Sequence, residues 1–182
     1  MVLEPVEPGE GLVFVNEVDP KVLPKRFVPF IEAGLRSAAS CGPIAGYPVI
    51  GVRFILRACT YAEGPDLEAT FEAAAHQAAR LALEQALGVI IEPVMRVVVT
   101  VPQEHSGGVV GDLGRMRGVI THTEGLGTDL VIEADVPLAE TFGYITKLRA
   151  MTKGTGTYTM EMLRYAPVPA AVQQRLAEGF GV

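Results

Sequence analysis

The sequence predicts an α+β chain of two small units, a β-α-β-α unit followed by a β-α-β-β-α-β unit. Apolar residues recur at helical spacing in some stretches and alternate as in strands in others. Pro93 interrupts an extended apolar run, and the pattern of elements changes after it. Hydrophobic residues make up 49% of the 182 residues, which is enough for two cores. We therefore place the two domains at residues 1–92 and 93–182.

The first unit opens with a strand over residues 11–18, "GLVFVNEV". A helix is predicted in "LPKRFVPFIEAGLRSAASCG", where Phe27, Ile31 and Leu35 are spaced by four residues. Pro24 suits the first turn of this helix because proline needs no hydrogen-bond acceptor there.

A second strand, "VIGVRFILRACTY", is rich in β-branched and aromatic residues and ends in a short Gly-Pro turn. A second helix is predicted over residues 66–87. The apolar face predicted for this helix consists of Leu67, Phe71, Ala74, Ala78 and Leu81.

The second unit contains strand patterns in "MRVVVTV", "VITHTEG", "TDLVIEADV" and "GTYTMEMLRY", with helical patterns in "EHSGGVVGDLGRMRG" and "PLAETFGYITKLRAM". The order β-α-β-β-α-β predicts a ferredoxin-like antiparallel sheet with two helices on one face. The inward residues expected from the helices are Val109, Val110, Leu113, Met116, Leu138, Phe142, Ile145 and Leu148.

Composition narrows the class of protein. The formal net charge of −6 argues against a broad basic nucleic-acid surface, and we expect no DNA partner. The longest apolar runs are too short to cross a membrane, so we expect no membrane partner either. The acidic, proline-rich beginning is unlike a signal peptide, so we expect a cytoplasmic location. Cys41 and Cys59 lack metal-ligand spacing and are interpreted as buried free thiols in a reducing compartment.

Catalytic and cofactor motifs are not found in the sequence. The three histidines are scattered, no nucleophile lies in a G-x-S-x-G elbow, and no Walker A or strand-borne G-x-G-x-x-G is present. We therefore expect no enzymatic activity, no metal site and no bound cofactor in this chain.

One glycine motif, "KGTGTYTMEM", has the spacing of the single-strand RNA-recognition pattern. Tyr158 is its one stacking aromatic, and the motif falls on the last strand of the unit rather than the third. A tight turn that leads into an edge strand is the preferred interpretation.

Cations near predicted loops and helix ends of the second unit suit docking onto structured RNA or protein. These candidate RNA-facing residues are Arg115, Arg117, Lys147, Arg149 and Lys153.

Longer phrases of the sequence resemble the elongation factor G family of translational GTPases. "LPKRFVPFIEAGLRSAASCGPIAGYPVIGVRF" resembles its fourth domain, and "IIEPVMRVVVTVPQEHSGGVVGDLGRMRGVI" and "VPLAETFGYITKLRAMTKGTGTYTMEMLRYAPVP" resemble its fifth. The resemblance implies a ribosomal protein S5 domain 2-like fold with a left-handed crossover, followed by a ferredoxin-like domain.

The resemblance also implies partners. The family's fourth domain enters the decoding region of the ribosome behind the tRNA during translocation, and its fifth faces ribosomal RNA and stalk-base proteins of the large subunit. GTP and Mg²⁺ belong to a domain not contained in this chain. The tip loop that would face tRNA and mRNA corresponds to Thr60, Tyr61, Ala62, Glu63, Gly64, Pro65 and Asp66.

The sequence departs from the family pattern at three RNA-facing places. Ala62 stands where the family has His, and Met116 and Thr155 each stand where it has Arg. A glycine-rich first tip loop and the N-terminal strand of the fourth domain are expected to lie before residue 1. Two lost arginines would weaken ribosome binding and its salt dependence.

Two alternatives remain at this point. The chain is either a segment of a divergent factor or a free-standing derivative of this module. A ferredoxin-like regulatory or ligand-sensing protein is the competing function, and it would be indifferent to ribosomes.

Overall fold

A computed structural model describes residues 1–179 and divides the chain into two compact units. The first unit comprises Met1–Ile90 together with the chain from Pro169 onward, and the second comprises Ile91–Val168. Each unit has its own sheet and its own hydrophobic core. The predicted α+β class with two small units is confirmed.

The first unit is a three-stranded sheet with two long helices. Its strand order is β1-β3-β2, with β3 antiparallel to β1 and parallel to β2. The elements are β1 (Val2–Pro5), β2 (Leu12–Asn16), α1 (Val28–Ala39), β3 (Val52–Leu56), α2 (Leu67–Gln85) and the C-terminal α5 (Ala170–Gly179).

Strand β1 is absent from the sequence-based prediction, which expected the first strand of this unit before residue 1. Val2–Pro5 pairs with Val52–Ile55 of β3, so the third strand lies within the chain. Four residues that include Glu4 and Pro5 carry too little alternation to be recognised without the partner strand.

The beginning of α1 also differs from the prediction. Pro24 precedes a 3-10 turn over Lys25–Phe27, and the α-helix begins at Val28 with Pro29 in its first turn. Ile31 and Leu35 are buried as predicted.

The buried face of α2 differs from the prediction. It consists of Phe71, Ala75, Ala79 and Leu83, four residues apart throughout. The predicted inward residues Ala74, Ala78 and Leu81 are exposed.

Helices α1 and α2 pack closely together at Gly34. A Cβ atom at this position would lie 2.2 Å from the carbonyl oxygen of Glu72 and 3.1 Å from the Cβ of Ala75. A residue without a side chain is therefore required for the two backbones to pack at this distance.

The second unit is a four-stranded antiparallel sheet with strand order β5-β6-β4-β7. This is the arrangement expected of the ferredoxin-like order. Its elements are β4 (Ile91–Pro102), α3 (Ser106–Arg115), β5 (Val119–Leu126), β6 (Asp129–Pro137), α4 (Tyr144–Met151) and β7 (Thr157–Pro167).

One face of this sheet forms the core of the second unit. The buried residues alternate along the two central strands, so their side chains point to the same face. Residues from α3 and α4 complete this core, including Val109, Leu113 and Leu148. Two of the predicted inward residues, Val110 and Phe142, are instead 38% and 80% exposed.

Phe142 is exposed because α4 begins later than predicted. A 3-10 turn occupies Leu138–Glu140, and Gly143 adopts a left-handed conformation just before the helix. This geometry turns Tyr144 inward, where it is 2% exposed.

Helix α5 belongs to the first unit, whereas the predicted second domain extended over 93–182. The side-chain oxygen of Gln173 accepts the backbone N–H of Ile90 at 3.3 Å, which ties α5 to the end of the first unit. The second unit therefore ends at Val168.

Gly34→Ala is expected to destabilise the first unit by about 1–3 kcal/mol, the usual cost of forcing extra atoms into a packed contact. Urea dependence of hydrogen exchange in α1 and α2 measures this change. Gly111→Ala in α3 is the matched control, because nothing lies within 4 Å of its added Cβ. The control should stabilise its helix by about 0.5–1 kcal/mol, and equal effects of both substitutions would contradict the packing argument.

Tyr144 makes the stability of the second unit depend on alkaline pH. Burial, followed by the negative charges of Asp112 and Tyr158, raises the pKa of Tyr144 from its ordinary 10 to about 12. The neutral phenol is thus favoured in the folded state. Its contribution is complete below pH 10 and is lost as the pH rises toward 12.

Tyr144→Phe should therefore lose less stability than the wild type between pH 10 and pH 12. The difference between their unfolding free energies should change by about 1.4 kcal/mol per unit of pKa shift. Chemical denaturation at a series of pH values measures it. Parallel pH profiles for the two proteins would show that this hydroxyl does not titrate as the structure implies.

Candidate nucleic-acid interface

The loop between β3 and α2 is the most prominent exposed segment of the first unit. All seven residues from Thr60 to Asp66 are exposed, as expected for the predicted tip loop. The ring of Tyr61 nevertheless packs edge-on against Phe71 and Phe27, with centroid distances of 5.2 and 6.0 Å. This contact fixes the beginning of the loop to the core.

The end of the loop is fixed by the first turn of α2. Asp66 adopts a left-handed conformation with φ of 55°. Its carbonyl oxygen accepts hydrogen bonds from the backbone N–H and the side-chain hydroxyl of Thr70, at 3.1 and 3.0 Å. The four residues from Ala62 to Pro65 therefore project from two fixed ends.

A second exposed segment lies at the same end of the unit and was interpreted from the sequence only as the start of a helix. Because β2 and β3 are parallel, the chain leaving β2 and the chain leaving β3 emerge at one edge of the sheet. The segment after β2 carries three exposed cations, Lys21, Lys25 and Arg26. The basic run "DPKVLPKRF" can be recognised in the sequence. The parallel pairing that brings it to the same edge of the sheet as the tip loop cannot.

In the second unit, Arg117 is bound by carboxylates rather than free. Its two terminal nitrogens donate to the carboxylate of Glu92 at 2.6 and 2.9 Å, and its Nε donates to Glu140 at 2.9 Å. These bonds raise the pKa of Arg117 further above its ordinary value. The side chain is 28% exposed, so its role in the described structure is to join β4, the α3–β5 loop and the turn before α4.

Arg115 and Lys147 are the two predicted cations that the fold brings together. Both face the carboxylate of Asp112, which is fully buried between α3 and α4. The Nζ of Lys147 contacts one oxygen of this carboxylate, and Arg115 lies 3.9 Å from it while remaining 80% exposed. Part of their charge is therefore neutralised within the unit.

Arg149 lies in the last turn of α4, and Lys153 lies in the loop between α4 and β7. Helix α3 runs toward the end where β5 begins, whereas α4 runs toward the end where β7 begins. Both side chains are exposed, and among residues 1–179 neither makes an ion pair. Among the five predicted cations in the described residues, only Arg115 and Lys147 share a carboxylate.

The three departures from the family pattern occupy different environments. Ala62 is exposed in the tip loop, and Thr155 is exposed in the α4–β7 loop, where its hydroxyl donates to the carbonyl of Thr152 at 2.6 Å. Met116 is 7% exposed and belongs to the core of the second unit. The side chain of Met116 therefore points inward, and the lost RNA contact expected at this position stays a prediction.

Neither a metal centre nor a membrane span stands out in the part of the chain that the structure describes. Within it, no three potential ligands among His, Cys, Asp and Glu come together. No helix there is both long and apolar enough to cross a bilayer. The prediction that both cysteines are buried is wrong for Cys41, which lies in the loop after α1 and is exposed, and Cys59 is only half-buried.

Arg117→Gln is expected to destabilise the second unit by about 1.5–3 kcal/mol, because Glu92 would lose its charged hydrogen bonds in a half-buried place. Thermal or urea unfolding checks this value. Arg115→Gln removes the same charge from an exposed position and should change stability by less than about 0.5 kcal/mol. Similar effects of the two substitutions would contradict a structural role for Arg117.

Two family models match the chain in sequence order. The model described as "Elongation factor G, domain IV" matches residues 1–87, and the model described as "Elongation factor G C-terminus" matches residues 89–176. Together they account for nearly all of the chain.

Proteins that are similar to this chain carry the name given in these two family models. Two proteins named elongation factor G, from Dinoroseobacter shibae and Granulibacter bethesdensis, are 39% and 40% identical over 99% and 97% of this chain. The chain spans about a quarter of their length, 26% and 25% respectively.

A crystal structure of a protein from Thermus thermophilus has a similar fold, with a TM-score of 0.88 and 35% identity. The similarity covers 98% of this chain and 26% of that one. Two adjoining models of one family, relatives of one name and a matching fold lead to one conclusion: this chain belongs to the elongation factor G family.

Proposed function

We propose that this chain is the ribosome-contacting module of a translation factor that acts in translocation. The first unit would enter the decoding region beside tRNA and mRNA, and the second would face ribosomal RNA and stalk-base proteins of the large subunit. In this proposal GTP and Mg²⁺ bind to a separate domain, and the chain acts in the cytoplasm without a cofactor of its own. Its contribution is mechanical and electrostatic rather than catalytic.

The observation that carries the proposal is the loop Thr60–Asp66. It is exposed along its whole length, yet Tyr61 and the Asp66–Thr70 hydrogen bonds hold both of its ends to the core. A short loop on a rigid support suits steric contact with a structured partner, because little conformational entropy remains to be lost on binding.

The second unit offers a different kind of support. Arg149 and Lys153 are exposed and free of carboxylate partners among the described residues, so they can approach phosphate groups without breaking internal ion pairs. Arg115 retains 80% of its side-chain exposure and can make a further contact. Arg117 is left out of this role because its donors are occupied.

Site-directed cleavage of RNA tests the placement of the tip loop. In a Cys41→Ser background, Glu63→Cys provides an exposed attachment point for an iron chelate at the centre of the loop. On ribosomes carrying tRNA and mRNA, we expect this probe to cleave small-subunit RNA of the decoding region. An excess of full-length elongation factor G should abolish the cleavage.

Ala73→Cys in the same background is the matched control, because it places the probe at an exposed position in the second turn of α2 rather than in the loop. It should give weaker or different cleavage, and the Cys41→Ser protein alone should give only the background from Cys59. Identical patterns from residues 63 and 73, or no ribosome binding at low salt, would count against the proposal. The latter result would favour the regulatory alternative.

A further inference from the structure

The tip loop is negatively charged, so it cannot attract a nucleic acid by itself. Between Thr60 and Asp66 it carries the carboxylates of Glu63 and Asp66 and no cation. Both are exposed. A loop of this charge is repelled by phosphate groups, so an attractive element must lie close to it if it approaches RNA.

The segment after β2 provides such an element. We call Lys21, Lys25 and Arg26 the cationic strip. All three are exposed, whereas Leu23 and Phe27 between and beside them are 0% and 3% exposed and hold the segment on the core. The strip spans six residues, so its cations lie within roughly 20 Å of one another even if the chain were fully extended.

An aromatic contact places the strip beside the tip loop. Phe27, which follows Arg26 directly, packs against the ring of Tyr61 with a centroid distance of 6.0 Å. The guanidinium carbon of Arg26 lies 4.7 Å from the centroid of the Phe27 ring. Arg26 is thus held against the same aromatic residues that fix the root of the loop.

The charges of the strip are available for a partner. Among residues 1–179, none of the three side chains forms an ion pair. The nearby carboxylates are otherwise engaged: Asp19 accepts the backbone N–H of Lys21 at 2.8 Å, and Glu17 pairs with Arg57 at 3.3 Å. The strip therefore keeps a local excess of positive charge in a chain whose net charge is −6.

We propose that Lys21, Lys25 and Arg26 form a binding site for the RNA phosphate backbone beside the tip loop. The strip attracts and holds the RNA, and the loop contributes shape at a place where its own charge is unfavourable. This inference rests on the proposed function, since it assigns the electrostatic part of the same RNA contact to residues outside the loop.

Salt titration of ribosome binding tests the strip. Each phosphate contact contributes a slope of roughly 0.7–0.9 in a log–log plot of affinity against salt concentration. Lys25→Gln combined with Arg26→Gln should therefore make the slope shallower by roughly 1.4–1.8. Arg26→Lys, which keeps the charge, should retain the wild-type slope.

Arg36→Gln combined with Arg80→Gln is the matched control. It removes the same total charge from exposed helix positions, where the arginines pair with Glu32 and Glu84. This control should leave the slope within the error of the wild type. Circular dichroism before each titration confirms that every variant is folded.

The outcomes separate the two proposals. If the wild type does not bind ribosomes at low salt, both fail. If it binds but the double variant keeps the wild-type slope, or the control loses as much slope as the double variant, the proposal for the cationic strip is wrong and the proposed function of the module still stands.

The titration is repeated on protein-free ribosomal RNA, where the same loss of slope is expected. A loss confined to intact ribosomes would identify an acidic protein as the partner and overturn the RNA assignment.

Discussion

The arrangement of the first unit around its exposed end depends on the contact between three aromatic rings. Phe27 comes from the turn before α1, Tyr61 from the tip loop and Phe71 from α2, with centroid distances between 4.7 and 6.0 Å. Tilted and edge-on pairs of this kind contribute about 0.5–1.5 kcal/mol each beyond the burial of their surface. Because the rings come from three segments, one cluster determines where the loop begins and where Arg26 lies.

In the second unit, packing of the helices decides which cations face solvent. Asp112 is buried between α3 and α4 and draws Lys147 toward the protein, while Glu92 and Glu140 hold Arg117. Burial of a carboxylate is costly unless a cation lies near it, so these basic residues are needed inside the unit. The exposed positive charge at its surface is accordingly smaller than the number of basic residues suggests.

The sequence was sufficient to predict the α+β class and most of the helices and strands in their order, because long amphipathic stretches specify these elements directly. It was insufficient where the outcome depends on a partner element. The alanine-rich α2 admits several apolar faces, and packing against α1 at Gly34 selects the one that contains Ala75. Tertiary contacts likewise decide that Arg117 is bound and that Lys25 and Arg26 lie beside the loop, since parallel pairing of β2 and β3 cannot be read from either strand alone.

The three positions that depart from the family pattern differ in how far their side chains are buried. At Ala62 and Thr155 the side chains are exposed, so a histidine or an arginine at these positions would change the chemistry of the surface without disturbing the packing. Met116 is different, because its side chain fills the core between α3 and the sheet. An arginine there would have to extend its charged end out of the core along its apolar stem. An arginine at position 116 would thus change the packing of the core and also place a charge at the surface. None of these three positions belongs to the cationic strip, so the charge proposed to lie beside the tip loop is independent of them.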